Sequence, residues 1–326
     1  MKKLGIVIPT YNRCELAYVG IKTLLPQLLE YQNDVSLLIS DNASQDNTEN
    51  MLRPFSVQYP NVIEYVKQSK NIGPHANFYF GVREVNSEYV FLLGDDDIVS
   101  PYFISIILDL INKHKGVGLI HFNHIQISPD RSVIRLFQRN IQIGSLIVNY
   151  ENGKSFIKNH LVSPSFMSSV VFRKECMLDG MENFYHDDCF GYDWLLCIYY
   201  GILKYPCVYY SIPLVIQRSG EQYKAYALNT IVGQQRIFNY LSQYIEGIDT
   251  YWKSCVAEEK YTDVLAVIRS IINYRGFYKD FYLELHNCLL LKKHRVYLWC
   301  AISLPSIVSR LLFVIFRIIQ RIKKLI

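Results

Sequence analysis

The chain has 326 residues, half of them hydrophobic and 19% charged, which fits a folded protein with a sizeable core and excludes a disordered one. The formal net charge of +5 is lopsided: eight of the 34 Lys and Arg lie from Lys292 onward, where no Asp or Glu occurs, leaving 26 basic against 29 acidic residues before it. The basic character belongs to the tail, so the body is not expected to bind nucleic acid.

Four short runs rich in β-branched and apolar residues read as buried strands: "LGIVIP" from Leu4, "VSLLIS" from Val35, "NVIEYV" from Asn61 and "YVFLLG" from Tyr89. The first is too short an apolar stretch for a signal peptide and runs straight into a turn. Between the strands the spacing is helical. Leu16, Val19, Leu24, Leu28 and Tyr31 mark one helix, and Pro74 suits the first turn of another that runs to about Val85. Ser100 and Pro101 read as a cap and first-turn pair for a helix that Gly116 closes. Strands alternating with helices predict an α/β fold with a mostly parallel sheet and helices on both faces.

Farther on, "VGLIHFNHIQI" from Val117 is a predicted strand whose His121 and His124 point to opposite faces, which argues against a joint metal site. Residues 130–147 suggest irregular or hairpin structure. "SPSFMSSVVFRKE" regains strand character from its Ser165 onward, and "GYDWLLCIYYG" is a predicted helix with Asp193 near its start. "PCVYYSIPLVIQR" supplies one or two strands, and the pattern from Tyr226 to Leu298 is helical. These features divide the chain at about residues 222 and 297. The eight cysteines form no C-x-x-C pair and no zinc-like cluster, as expected of reduced, buried thiols in a cytoplasmic protein.

In the tail, Ser306, Arg310, Arg317, Gln320, Arg321 and Lys324 share one face of a helix drawn from Ser306 to Ile326, opposite Ile, Leu, Val and Phe. That is the pattern of a basic amphipathic helix lying on an anionic membrane surface. A terminal helix packed on the body is an alternative. A span is a third, opposed by Pro305, Arg310, minimal length and the positive-inside bias.

Ligands of open parallel sheets sit outside the carboxyl ends of the strands. The residues there are "PTYNR" from Pro9, "SDNASQDNT" from Ser40, "KNIGPHAN" from Lys70 and "GDDD" from Gly94. All four are polar, and together they predict one site. No G-x-x-x-x-G-K-[ST], no G-x-G-x-x-G after the first strand and no G-x-S-x-G occurs, which disfavours nucleoside triphosphatases, dinucleotide oxidoreductases and α/β hydrolases. Three consecutive aspartates at a strand end suit a hard divalent cation completed by substrate phosphates.

"VIPTYNR", "SDNASQDNT", "NIGPHANF" and "FLLGDDDIVSP" resemble the successive motifs of family 2 glycosyltransferases of the GT-A fold, and above all the abequosyltransferase-like branch that builds bacterial surface polysaccharides. The resemblance is specific over about residues 1–125. It implies a nucleotide pocket lined by Pro9, Thr10, Tyr11 and Arg13, with Asp41 accepting hydrogen bonds from the base and Asn42 beside it. Asn71 and Gly73 would hold the ribose side, Asp95 the ribose or sugar, and Asp97 would bind Mg2+ or Mn2+, with Asp95 or Asp96 as further ligands. Asp193 would be the general base of an inverting transfer, with Asp187 and Asp188 as rivals and Trp194 as a platform. Where several relatives place a metal-binding His, this chain has Gln217 and Arg218, and Arg218 is expected on the diphosphate instead. The resemblance further implies a nucleoside-diphosphate sugar donor, a polyprenyl-diphosphate-linked acceptor, and a place on the inner face of the bacterial cytoplasmic membrane. Alternatives are a UDP- or dTDP-hexose donor, sugar-nucleotide synthesis on the same fold, and a non-catalytic binding protein.

Overall fold

The structure is a computed structural model that describes residues 1–127, 134–137, 145–161, 163–184, 192–218, 232–257, 271–272, 285–287, 292–304, 309 and 314. The chain divides into two compact units, residues 1–185 with 197–220, and 186–196 with 221–326.

The first unit is built on strands β1 (Lys2–Thr10), β2 (Val35–Asp41), β3 (Ile63–Lys67), β4 (Ser87–Leu92), β5 (Ile98–Val99), β6 (Leu119–Ile127), β7 (Ile134–Phe137), β8 (Ile147–Tyr150), β9 (Val170–Arg173) and β10 (Cys207–Arg218). Their order in the sheet is β3-β2-β1-β4-β9-β6-β10-β5, with β7 on β6 and β8 on β10. The four predicted strands are present, and β3, β2, β1 and β4 run parallel. β1, β2 and β4 are apolar on both faces, as parallel strands covered by helices must be. The other half is mixed, because β9 runs antiparallel to both β4 and β6. "SPSFMSSVVFRKE" supplies only the four residues of β9. Its serines form two 3-10 turns, Ser163–Ser165 and Met167–Ser169, and its end starts a helix at Lys174.

Helices α1 (Cys14–Glu30), α2 (Thr48–Gln58) and α3 (Pro74–Glu84) connect the parallel strands. Ala17, Ile21, Leu24 and Leu28 bury one face of α1, whereas Leu16 and Val19 of the expected stripe are exposed. Gly73 precedes α3 at φ +86°, a conformation that favours glycine, and Pro74 occupies the first turn as expected. Helix α4 (Phe103–Lys113) begins two residues later than predicted. Ser100 still turns the chain, accepting the Tyr102 amide, but Tyr102 is the cap. Phe91, Phe103 and Phe122 pack ring to ring where α4 crosses the sheet.

His121 and His124 have separate partners, as their opposite faces require. The His121 ring nitrogen bonds the Ser169 carbonyl, and the His124 ring packs 4.3 Å from that of Phe166. Helices α5 (Gly153–His160) and α6 (Lys174–Phe184) complete this unit, and α7 (Asp193–Gly201) divides between the two. In the second unit α8 (Gln234–Leu241) packs Phe238 on Trp252 of α9 (Ile248–Ala257), and α10 runs over Lys292–Ser303. Among the described residues no helix is long and apolar enough to cross a membrane. Most of the amphipathic tail lies outside the described residues, as do Asp187 and Asp188.

Candidate active site

The chain leaves β1 toward β2 on one side, and β4 flanks β1 on the other. The carboxyl ends of these three parallel strands lie at one rim of the sheet, which is where an open α/β sheet offers a crevice. A cavity of about 520 Å³ occupies it, lined by residues of all four predicted segments. Pro9, Thr10, Tyr11 and Arg13 come from the end of β1, Asn42 from β2, Asn71 from the segment after β3, and Asp95 and Asp96 from the turn after β4.

The aspartate turn is electrostatically dense. Asp95 is buried, and it accepts from Thr10 Oγ1 at 2.8 Å and from Arg13 Nη1 at 3.1 Å. Arg13 also reaches Asp96 at 3.3 Å. Burial pushes the Asp95 carboxyl above its usual range, and Arg13 and Thr10 offset part of that. Partial burial works against the Arg13 charge, but Asp95 and Asp96 outweigh it and raise the guanidinium's pKa. Three adjacent carboxylates are thus tolerated because a cation from β1 lies across the first two.

Asp97 behaves differently. Its Oδ2 accepts from Ser168 Oγ at 2.6 Å, while Oδ1 is buried with no hydrogen-bond partner. Burial pushes this carboxyl up to about 7, with Ser168 pulling the other way. A Cβ at Gly94 would stand 2.7 Å from Asp97 Oδ2, so a larger residue there would push this carboxylate from its place. A partnerless buried carboxylate oxygen beside two other carboxylates fits a divalent cation. Among the described residues, however, no three His, Cys, Asp or Glu converge to hold an ion alone. The donor set therefore suits the mode in which one or two carboxylates are joined by phosphate oxygens.

Asp41 and Arg218, both expected at the site, do not line the cavity. Asp41 is fully buried and does not line the cavity. Its oxygens accept from the Ser44 amide and the Tyr65 hydroxyl, so both are committed to shaping the turn after β2. Burial first, and then the Asp41 bond, raises the Tyr65 pKa. The neighbour Asn42 faces the cavity instead, donating to Asn71 Oδ1 and accepting from the Ile72 amide. Arg218 likewise does not line the cavity. Its guanidinium donates to the backbone carbonyls of Asp96 and Leu16, bracing the aspartate turn against α1. Gly73 acts through its backbone, donating to Asn71 Oδ1.

Other residues of the site went unassigned in the sequence. Pro74, Asn77 and Phe78 line the cavity from the first turns of α3, and the run "NIGPHANF" already contained them. Asn77 clamps α3 to β2 through two bonds of 2.8 Å with Ser40. Met167 and Ser168 come from a segment read as strand, and no local signal marked them. Asp193 is the first residue of α7 and belongs to the second unit, where it is buried, as is Trp194.

Comparison with known proteins follows the same lines. The abequosyltransferase RfbV of Salmonella typhimurium is 31% identical over 116 residues, 36% of this chain and 34% of that protein. The GalNAc(5)-diNAcBac-PP-undecaprenol beta-1,3-glucosyltransferase of Campylobacter jejuni is 26% identical over 113 residues, 35% of this chain and 36% of that one. The matched part thus spans about a third of the length of these relatives. Among solved structures, S. aureus TarS 1-349 in complex with UDP-GlcNAc superposes with a TM-score of 0.64 at 13% identity, over 97% of this chain and 91% of that one. The mannosyltransferase PcManGT from Pyrobaculum calidifontis, in complex with GDP-Man and Mn2+, gives 0.52 at 12% identity, over 95% and 86%. These likenesses show the fold, the GT-A α/β architecture anticipated from the sequence. Residues 5–174, just over half of the chain, match Glycosyl transferase family 2, and the chain belongs to that family.

Proposed function

We propose that the chain transfers a sugar from a nucleoside-diphosphate donor to an acceptor hydroxyl during synthesis of a bacterial surface polysaccharide. The observation that carries this reading is the cavity at the carboxyl ends of β1, β2 and β4, whose lining combines amides and apolar rings with Asp95, Asp96 and Arg13. Tyr11, Pro74 and Phe78 offer apolar surface for a base, and Asn42 and Asn71 offer amides to its polar edge. Asp95 and Asp97, with Asp96 beside them, would hold Mg2+ or Mn2+ together with the donor's phosphates. When bound, the cation stabilises the negative charge that grows on the departing diphosphate. Arg13, half-exposed beside the same carboxylates, is placed to meet that charge as well.

Asp193 is the proposed general base, with Asp187 and Asp188 as alternatives in the same unit. A single base acting in one displacement inverts the anomeric carbon. The abequosyltransferase relative favours a CDP-linked 3,6-dideoxyhexose as donor, with UDP- and dTDP-hexoses as alternatives. The undecaprenol-linked substrate in the name of the Campylobacter relative supports a polyprenyl-diphosphate-linked acceptor. The basic amphipathic tail supports attachment to anionic lipid at the inner face of the cytoplasmic membrane. The test is release of nucleoside diphosphate from CDP-, UDP-, dTDP- and GDP-sugars with and without Mn2+. Turnover of one donor class, lost without metal and in Asp95→Asn, is the expected result. No turnover of any donor, with acceptor lipid extract present, counts against it.

A further inference from the structure

We infer that Ser168 is a positioning residue for Asp97, set in place by two histidines of β6, and that it determines how tightly the site takes up its divalent cation. The inference rests on the metal-dependent transferase reading and adds a residue that the four strand-end motifs do not contain.

With Asp97 ionised, the hydrogen-bond directions at Ser168 are forced. A serine hydroxyl has one proton to give and two lone pairs to receive with. The Gly94 amide donates to Ser168 Oγ at 2.9 Å, and an amide cannot accept in return. The hydroxyl proton therefore goes to Asp97 Oδ2, at 2.6 Å. One buried side chain thus grips both ends of the aspartate turn, its first residue by the backbone and its last by the carboxylate. With Oδ2 held, the carboxylate cannot rotate freely, and Oδ1 is the oxygen left without a partner. A ligand oxygen held in one orientation loses less entropy on binding a cation than one that must first be ordered.

The serine reaches this place through the sheet. β9 runs antiparallel to β4 and β6, so the turn before it falls beside the carboxyl end of β4. The turn is closed by Ser169, whose amide and hydroxyl both donate to the Phe166 carbonyl, at 2.9 and 2.6 Å. It is fixed from below by β6. His121 Nδ1 lies 3.1 Å from the Ser169 carbonyl, which can only accept, so this nitrogen carries the proton. The His124 ring packs on Phe166. The two histidines thus act on one turn from opposite faces of one strand.

The test compares the wild type with Ser168→Ala, Ser168→Thr and Ser168→Cys. Mn2+ affinity is read by electron paramagnetic resonance with saturating CDP or UDP, nucleotide affinity without metal by calorimetry, and folding by thermal melting. Loss of a residue that orients a metal ligand weakens metal binding by roughly 10–100-fold. The expected result is a loss of that size in Ser168→Ala, metal-free nucleotide affinity within about twofold of wild type, and recovery in Ser168→Thr. If the alanine variant does not fold, Ser168→Cys keeps the shape with a weaker donor and is expected to lose Mn2+ affinity in the same direction. Unchanged Mn2+ affinity in a folded alanine or cysteine variant overturns the inference alone. A parallel loss of metal-free nucleotide affinity also overturns it, since that is what general distortion would produce. Absence of any Mn2+–nucleotide complex in the wild type overturns the transferase reading along with it.

Discussion

At the scale of single residues, the aspartate turn is a place where stability is given up. Asp95 has Arg13 and Thr10 to compensate its burial; Asp97 has the Ser168 hydroxyl and, more weakly, the backbone and charge of Arg218, and its carboxyl is still pushed up to about 7. A carboxyl whose pKa is raised by folding costs nothing while both states are protonated, below about pH 4. As pH rises toward 7 the unfolded chain releases its proton and the folded one retains it, so stability falls across that window. Above 7 the folded protein carries the buried charge at full cost. Asp97→Asn never ionises. It is therefore predicted to melt at a higher temperature than wild type at pH 8, with the difference shrinking toward pH 4 at no more than about 1.4 kcal/mol per pH unit. Added Mn2+ and nucleotide should raise the wild-type midpoint more than the variant's. Melting curves from pH 4 to 8 check both, and a variant less stable than wild type at pH 8 would show that the Ser168 contact outweighs the burial cost.

At the scale of elements, the site depends on how α3 meets the sheet. Asn77 exchanges two hydrogen bonds with Ser40, whose strand continues into Asp41 and Asn42. Asn77→Ala leaves the Ser40 hydroxyl and carbonyl without that partner and is predicted to cost about 1–3 kcal/mol of stability. Nucleotide affinity should fall with it, because Pro74 and Phe78 ride on the same helix turns. Chemical denaturation and calorimetry read the two effects. A stability loss with unchanged nucleotide affinity would separate α3 from the binding site. The four parallel strands and their helices were legible from sequence because each strand is a continuous apolar run with a polar end. The start of α3 was legible because Pro74 carries a strong local preference for the first turn. The antiparallel half was not, since β9 is only four residues long and is placed by pairing with β4 and β6. Sequence spacing carries no record of such long-range pairing.

At the scale of the whole molecule, the same contrast separates what was readable in the site from what was not. Eight of the twelve residues assigned in advance to the nucleotide and metal site line one cavity, because they lie at the ends of neighbouring parallel strands. Asp41, expected to meet the base, does not line the cavity. The sequence marks a polar turn after β2, but only the fold shows that Tyr65, across on β3, takes up its carboxylate and leaves Asn42 facing the cavity. Arg218 was expected on the diphosphate, yet it braces the backbone behind the aspartate turn. In both cases a charged side chain found a partner distant in sequence. The most direct test of the account is calorimetric titration of the purified protein with CDP, UDP, dTDP and GDP, each with and without Mn2+, alongside Asp97→Ala. The account predicts that one nucleotide binds tightly only with the metal, and that Asp97→Ala loses that metal dependence and most of the affinity. Failure of all four nucleotides to bind, with or without metal, would contradict it and leave the three aspartates as a structural turn balanced by Arg13.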